Sequence, residues 1–477
     1  MCGIAGIYNF MSKDISRHLK FMLQTIQHRG PDGSGVIIGN KAIYGNIRDM
    51  DLPRGHIGIG HNRLRIVREA LQPIPNEDYS LWIAHNGEVY NSSEVRKELE
   101  RHTFRTNMDS EILLHTYEEN KLELVNGDYA FAVYDVNDER LEIFRDPIGV
   151  KPLFFCFENR IFAFASERKA LSKICSSPQR LSPGHKIIIE RDGLTIEKFQ
   201  SIDDLKLVKI KNEAEAIELL KKSLEIAVER RLYKPVGILF SGGIDSSIVA
   251  KIASQYEDII LITTGIRGSR DIIRAKNVAE KMNIDIHEVI IDEKELVDLF
   301  KNVINIIDEP DPLKALIGIP IYVAAKYAKE QGIRVIMAGQ GADELFGGYA
   351  RYLQIKDIKD LERVLLEDIR SLHEKNLERD DHCTMSNSVE LRVPYLDINV
   401  VKIALSIPVT YKIRNNIRKW ILRKVGEHLH LPKEAIHAEK KAIQYGSGVV
   451  GILKKYAKKR KLTLRELAQK FFMEGRG

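Results

Sequence analysis

The run VGILFSGGIDSSIVA, Val236 to Ala250, constrains the fold more than any other stretch of the chain. Its first five residues are apolar without polar alternation, as in a strand buried on both faces, and burial on both faces belongs to a parallel sheet covered by helices. Two glycines and small hydroxyl residues then make a tight turn that leads into a helix. Downstream, IILITTG, IHEVII and IRVIMAG alternate with helical stretches, so the carboxyl half reads as α/β and ends in an all-helical region.

The amino-terminal part has a different rhythm. From Met1 to about Gln200, short runs such as IAGIYNF, SLWIAHNG, YAFAVYD and RIFAFAS are broken by Gly, Asn, Pro and Asp clusters, which predicts a sheet-rich domain. Helices are expected over Ser16–Gln27 and Asp109–Asn120, the latter with charged residues on its outer face. After Ile202-Asp203-Asp204 the period changes to that of an amphipathic helix, EAEAIELLKKSLEIAVERRL. A chain of 477 residues exceeds what one core usually holds, so two domains are expected, 1–200 and 205–477.

No apolar run approaches the roughly 20 residues that cross a bilayer, and MCGIAGIYNFMSKD lacks the basic start of a secretory signal, so a cytoplasmic location is expected. Lys plus Arg (73) against Asp plus Glu (67) gives +6, too dilute to imply nucleic acid. The basic run Lys454 to Lys461 reads as a solvated helix face. Of four cysteines, Cys156 and Cys175 sit in apolar runs and are expected to be inert core thiols.

The turn after the first buried strand has the chemistry of an anion site. Glycines let the backbone approach, and Ser241, Ser246, Ser247 and the first helical N–H groups point at phosphate. No lysine follows the glycines, which excludes a Walker loop. Asp245, inside the loop, would be repelled by polyphosphate unless Mg²⁺ accompanies it. A second acid for the same metal is Asp343 in GQGADELFGGY, which follows IRVIMAG at the carboxyl end of a strand.

Cys2 follows the initiator methionine directly; removal of Met1 would leave its thiol beside a free α-amine, whose pKa near 7.7 to 8 lets it accept the thiol proton. The same domain carries HRGPDG from His28, HNRLRIV from His61, HNGEVYN from His85, MDSE from Met108 and GDYAFAVYD from Gly127. Together these resemble the class II glutamine amidotransferases. The resemblance implies an α+β amino-terminal-nucleophile (Ntn) hydrolase sandwich of helix, sheet, sheet and helix layers. It makes Cys2 the nucleophile, Asn86 and Gly87 the oxyanion hole, Arg63 the partner of the glutamine α-carboxylate, and Glu88 and Asp109 those of its α-ammonium.

SGGIDSS in turn resembles the pyrophosphate loop of ATP pyrophosphatases, and with GADELFGGY downstream the whole chain resembles the glutamine-dependent asparagine synthetases. The resemblance implies an ATP site of Leu239, Ser241, Gly242, Gly243, Asp245, Ser246, Ser247, Gly339 and Gln340, with Asp245 and Asp343 on Mg²⁺. Aligned on Gly446 and Gly448, it makes Lys440 the cation at the α-phosphate, and it places Arg379, Asp380 and Arg392 in the wall of the site. The implied reaction adenylates aspartate with ATP and lets ammonia from glutamine displace AMP. The expected partners are glutamine, aspartate and ATP, with a homodimer as the assembly and neither membrane nor nucleic acid.

Two residues depart from that pattern. Where asparagine synthetases read SGEGADE or SGEGSDE, this chain reads AGQGADE, with Ala338 for serine and Gln340 for glutamate. A glutamine cannot take the proton that ammonia loses on attack. Glu344 and Asp381 are the candidate replacements. Three readings stay open on the sequence: an asparagine synthetase, the same chemistry on another carboxylate, or a poorly active regulatory relative.

Overall fold

The structure, a computed structural model, describes residues 2–66, 71–438 and 446–475. The chain divides into two compact units, Met1–Asp204 and Leu205–Gly477.

Unit 1 holds two antiparallel sheets. One has seven strands, with Gly3–Asn9 between Ile161–Ala165 and Ile57–Asn62; the other has six, with Gly127–Asp135 between Arg140–Arg145 and Leu81–Val89. The period-two rule shows directly: along Gly3–Asn9, Ile4 and Tyr8 enter the core between the sheets, while Ala5 and Ile7 pack under the helix Ser16–Thr25. Along Gly127–Asp135, Ala130, Ala132 and Tyr134 face the same inner core, and Tyr129, Phe131 and Val133 face outward with Leu113 and Leu114 of the helix Asp109–Glu118. Both strands are covered on both faces, which is why they read as continuous apolar runs. The result is the expected helix, sheet, sheet, helix layering.

Two expectations need correction. The helix from Asp109 ends at Glu118, and its charged residues do not all face outward, since Glu111 and His115 are buried. Cys156 and Cys175 are not separate thiols; they form a disulfide with Cα atoms 6.5 Å apart. Cys156 lies on a strand and Cys175 just beyond a 3₁₀ turn, so only tertiary packing brings them together.

Unit 2 is built on five parallel strands in the order Ile286–Ile290, Ile259–Gly265, Val236–Leu239, Val335–Met337, Glu390–Arg392. The first of these in the chain lies in the middle, and later strands add on either side of it. Such a reversal of strand order opens a crevice at the carboxyl edge, where open α/β sheets take their ligands. The amphipathic helix is Glu213–Glu229; the Asn212 side chain caps it by accepting from the Glu215 N–H, and Ile217, Leu220, Leu224 and Val228 are its buried stripe. Among its described residues the terminal region is helical apart from a two-residue-per-strand hairpin pairing Ile413–Arg414 with Ile417–Arg418. Its turn residues Asn415 and Asn416 both have positive φ, the conformation of a type I′ turn that asparagine tolerates well. Lys454, Lys455, Lys458 and Lys459 are exposed on the helix Val449–Lys459, whose Val449, Leu453 and Ala457 are buried; the basic run is a solvated face. Among the described residues, no helix is long and apolar enough to cross a membrane.

Candidate functional site

In unit 1 the candidate residues gather around Cys2. The Cys2 N–H donates to Asn86 Oδ1 at 3.0 Å. Arg29 Nε donates to the Cys2 carbonyl at 3.1 Å, and the same guanidinium holds Glu167 at 3.0 Å. His28 Nε2 reaches that carboxylate too, at 2.8 Å. Burial would raise the Glu167 carboxyl, but His28, Lys169 and Arg29 beside it hold it well below the usual range. Arg29 and Glu167 are therefore a buried bracket on Cys2, and although HRGPDG drew attention to the segment, nothing in the sequence gave either residue that task.

Asn86 is fully buried, and its Nδ2 finds no hydrogen-bond partner among the described residues. A buried amide donor left open costs about 1–3 kcal/mol, so the position is shaped for an acceptor that comes from outside the chain. Gly87 has φ +156°, and a Cβ there would lie 2.1 Å from the Asp128 carbonyl oxygen, so only glycine lets the strand Leu81–Val89 lie this close to Gly127–Asp135. Asp109 is the first residue of its helix but does not cap it; its Oδ2 accepts from the Val89 N–H at 2.9 Å, next to Glu88. Arg63 is nearly buried, its N–H bonded to the Gly33 carbonyl of the HRGPDG turn. Cys2 itself is in no disulfide and is partly accessible.

In unit 2 a cavity of about 260 Å³ opens at the carboxyl edge of the sheet, between the loops that follow Val236–Leu239 and Val335–Met337. Leu239, Ser241, Gly243, Asp245, Ser246, Gly339, Gln340 and Asp343 all line it. Gly242 and Ser247 do not. Gly242 shapes the loop from behind at φ +67°, against Arg274 and Ala275, and Ser247 is wholly buried in the helix Ile244–Ala253. The two loops touch at Gly339, where a Cβ would come within 2.7 Å of Asp245 Cβ.

The residue that organises this cavity is Lys419, which the sequence gave no reason to single out. It follows the type I′ hairpin directly, at φ +56°. Its Nζ lies 2.7 and 2.6 Å from the two oxygens of Asp245 and 2.5 Å from Asp343 Oδ1. Both acids, 98 residues apart in the chain, thus turn oxygens onto one cationic point. A pair of converging carboxylates is the hard-oxygen donor set that Mg²⁺ takes alongside phosphate, so the residues fit that ion.

Arg379 and Asp380 line the cavity as an ion pair at 2.7 Å. Arg392 does not; it is buried against Glu390 and the Arg231 carbonyl. Of the two candidate bases, Asp381 does not line the cavity. Glu344 accepts from Tyr349 Oη at 2.6 Å and Asn376 Nδ2 at 3.0 Å, and both donors do line it. Burial, then the Asp343 charge, raises the Glu344 pKa above the ordinary carboxylate value. Lys440 lies outside the described residues. The turn after it docks at the cavity: a Cβ on Gly446 would lie 2.0 Å from Asp271 Oδ2, and Asp271 is a lining residue.

Comparison with known proteins joins the two sites. Residues 1–186 match a glutamine amidotransferase domain, and residues 219–359 and 353–473 match asparagine synthase. The "Putative asparagine synthetase (glutamine-hydrolyzing) 1" of Methanocaldococcus jannaschii is 40% identical over 96% of both chains. The "Probable asparagine synthetase (glutamine-hydrolyzing)" of Dictyostelium discoideum is 29% identical over 94% of this chain and 85% of its own. "Asparagine synthetase (glutamine-hydrolyzing) 2" of Oryza sativa is also 29% identical, over 94% and 78%. A buried cysteine-anchoring strand pair in one unit and two acids converging at a parallel-sheet crevice in the other are accounted for together, because this chain belongs to the asparagine synthase family.

Proposed function

We propose that the chain is a glutamine-hydrolysing asparagine synthetase, in which unit 1 (taken as 1–200) releases ammonia and unit 2 (taken as 205–477) forms the amide. The observation that carries the first half is the open Nδ2 of the buried Asn86, whose Oδ1 accepts from the Cys2 N–H. With Met1 removed, the Cys2 α-amine takes the thiol proton and the sulfur attacks the glutamine side-chain amide. The oxyanion then meets Asn86 Nδ2 and the Gly87 N–H, donors already in place before charge develops. Arg63 faces the α-carboxylate of glutamine, and Glu88 and Asp109 its α-ammonium. Breaking the C–N bond releases ammonia, and water later frees glutamate from the sulfur.

In unit 2 the Ser241–Ser246 loop and the N-terminus of the helix Ile244–Ala253 receive the ATP phosphates. Asp245 and Asp343 would hold Mg²⁺, which when bound neutralises phosphate charge. The β-carboxylate of aspartate attacks the α-phosphorus, pyrophosphate leaves, and ammonia attacks the acyl-adenylate carbon to expel AMP. Lys440 is assigned to the α-phosphate, as the resemblance to asparagine synthetases implies. The proton lost by ammonia passes to Glu344 by way of Tyr349, since Gln340 cannot receive it. A cytoplasmic setting suits a reaction that consumes ATP.

The test is a balance of products. Incubated with glutamine, ATP, Mg²⁺ and aspartate, the protein should give glutamate, AMP, pyrophosphate and asparagine in equal amounts. Cys2→Ala should lose glutamine use while ammonium chloride still supports asparagine formation. If AMP forms without dependence on aspartate, the acceptor is another carboxylate, the reading that the neutral Gln340 in the cavity wall favours. Silence at both sites leaves only the regulatory relative.

A further inference from the structure

Away from Cys2, unit 1 gathers a second set of chemistry-bearing side chains that the proposed reaction does not use. Glu77 comes from the turn after the edge strand Ile74–Pro75, His102 from the loop before the helix Asp109–Glu118, and His115 and Glu118 from the last turn of that helix. One ligand atom from each lies within 4.8 Å of the others. We propose that these four residues form a closed, four-coordinate site for one divalent first-row transition cation of the zinc class.

Four nitrogen–oxygen separations bracket the edge of a tetrahedral shell, the two from Glu77 being to its different oxygens. His102 Nδ1 is 3.0 Å from Glu77 Oε1 and 3.8 Å from Glu118 Oε2, and His115 Nδ1 is 2.7 Å from Glu118 Oε2 and 3.8 Å from Glu77 Oε2. With zinc–nitrogen and zinc–oxygen bonds of about 2.0–2.2 Å, the edges of a tetrahedron are roughly 3.3–3.6 Å, in the middle of that spread. Both histidines present the same nitrogen, Nδ1, to the shared point. Two imidazoles and two carboxylates are also the donor types zinc accepts.

The surroundings have the arrangement of an outer shell. Each histidine has a further carboxylate near its other nitrogen, at charge-contact distance without a hydrogen bond: His102 Nε2 is 3.4 Å from Glu119 Oε1, and His115 Nε2 is 3.9 Å from Glu111 Oε1. The ligand carboxylates are oriented, since Glu118 Oε1 accepts from Asn76 Nδ2 at 2.8 Å and Glu77 Oε1 from the Thr103 N–H at 3.0 Å. Glu111 is held by the N–H groups of Arg105 and Thr106. The imidazoles of His102 and His115 stack with centroids 4.1 Å apart, and the Phe104 ring closes one side edge-on at 4.9 Å.

A dication held at this point would neutralise both ligand carboxylates, Glu77 and Glu118. With four protein ligands the site is structural, since a catalytic zinc keeps one position open. It would pin the turn at Glu77 and the loop at His102 to the helix whose first residue, Asp109, reaches the Val89 N–H.

The experiment uses the full chain freed of metal by a chelator and then titrated with CoCl₂ and ZnCl₂. One equivalent of Co²⁺ should bind with the strong visible absorption of tetrahedral nitrogen and oxygen coordination and without a near-ultraviolet thiolate band. Zn²⁺ should displace it and raise the Tm. His102→Ala, a loop substitution that spares the core, and Glu118→Gln should each weaken Co²⁺ affinity at least tenfold. Wild-type protein that takes up no Co²⁺ or Zn²⁺ overturns the proposal, whatever the variants do. So does a spectrum dominated by a thiolate band, which would put the metal on Cys2, and so does binding undiminished in both variants.

Discussion

The Cys2 site and the Lys419 cleft hold their polar groups by different means. Around Cys2 strand register places the groups: Asn86 and Gly87 sit opposite Ala130 and Tyr129, Asn86 Oδ1 accepts from the Cys2 N–H, and the Arg29–Glu167 ion pair then brackets the Cys2 carbonyl. In the cleft the groups sit at the first turns of helices from distant parts of the chain and are held by charge, with Lys419 between Asp245 and Asp343 and Arg379 on Asp380. A register-built site is ready before substrate arrives, and it fails when a neighbour no longer fits. A charge-built site has to share its carboxylates with whatever cation arrives, and it fails when a charge is removed even if shape is kept.

The sharpest way to break this contrast is to remove charge without changing shape. Asp245→Asn and Asp343→Asn should each lower pyrophosphate release, measured with ammonium chloride as nitrogen source, by ~10³ or more, since metal-held charge stabilisation is worth several kcal/mol. Glutamine hydrolysis should persist. Pyrophosphate release at the wild-type rate in both variants would show that the cleft does not depend on these carboxylates.

Next in size is the proton path. Glu344→Gln keeps the contacts with Tyr349 and Asn376 but removes the acceptor, and asparagine formation should fall by about 10²–10⁴, the usual worth of a positioned base. ATP–pyrophosphate exchange dependent on aspartate should stay close to normal, because adenylation precedes ammonia attack. If exchange and amide formation fall together, Glu344 supports the cleft rather than taking the proton.

The same difference decided what the sequence could disclose. SGGIDSS and the loop from Gly339 were legible because a strand, a tight turn and a helix are local and leave a local signature. The parallel sheet was legible from its unbroken apolar runs. Lys419 was not, because its importance comes from a two-asparagine hairpin that brings an otherwise ordinary lysine to two distant acids. Arg29, Glu167 and the Cys156–Cys175 disulfide were hidden for the same reason, each being a contact across more than one element. Glu111 and His115 were misjudged as outward because helix polarity was read without the loop and turn that cover them.

The steric half of the comparison is tested at two glycines with nearly the same backbone. Gly87 (φ +156°) and Gly193 (φ +157°) both disfavour a side chain, but a Cβ at Gly193 meets nothing within 4 Å, whereas at Gly87 it meets the Asp128 carbonyl at 2.1 Å. Gly193→Ala should show the conformational cost alone. Gly87→Ala should cost about 1–3 kcal/mol more, the usual size of overpacking, and should also impair glutamine hydrolysis. Equal losses of stability in chemical denaturation of the two variants would mean that close packing of strands does not set the Cys2 site.

The smallest effect expected is a pH slope confined to unit 1. Burial, then the nearby His85 and the other local positive charges, lowers the His61 pKa to about 3, against 6.5 in an exposed chain. Between those values the unfolded chain carries a proton that the folded one refuses. Stability therefore falls as pH falls below 6.5, by about 1.4 kcal/mol per unit. Glu167, a depressed acid, loses its contribution only as pH falls below the ordinary carboxylate range; Asp146, raised to about 6 by burial and then the Asp128 charge, takes up a proton in the folded state over pH 6.5 to 5.5 and offsets part of the slope, so His61 is read as the difference between the protein with and without it. The chain has two tryptophans, Trp82 in unit 1 and Trp420 in unit 2, so Trp420→Phe leaves a fluorophore that reports unit 1 alone. From pH 6.5 to 5.5 its urea midpoint should change less favourably than that of the same protein carrying His61→Gln, the difference being the His61 contribution. Identical pH dependences with and without His61→Gln would take the buried histidine out of the account of how this site is kept neutral.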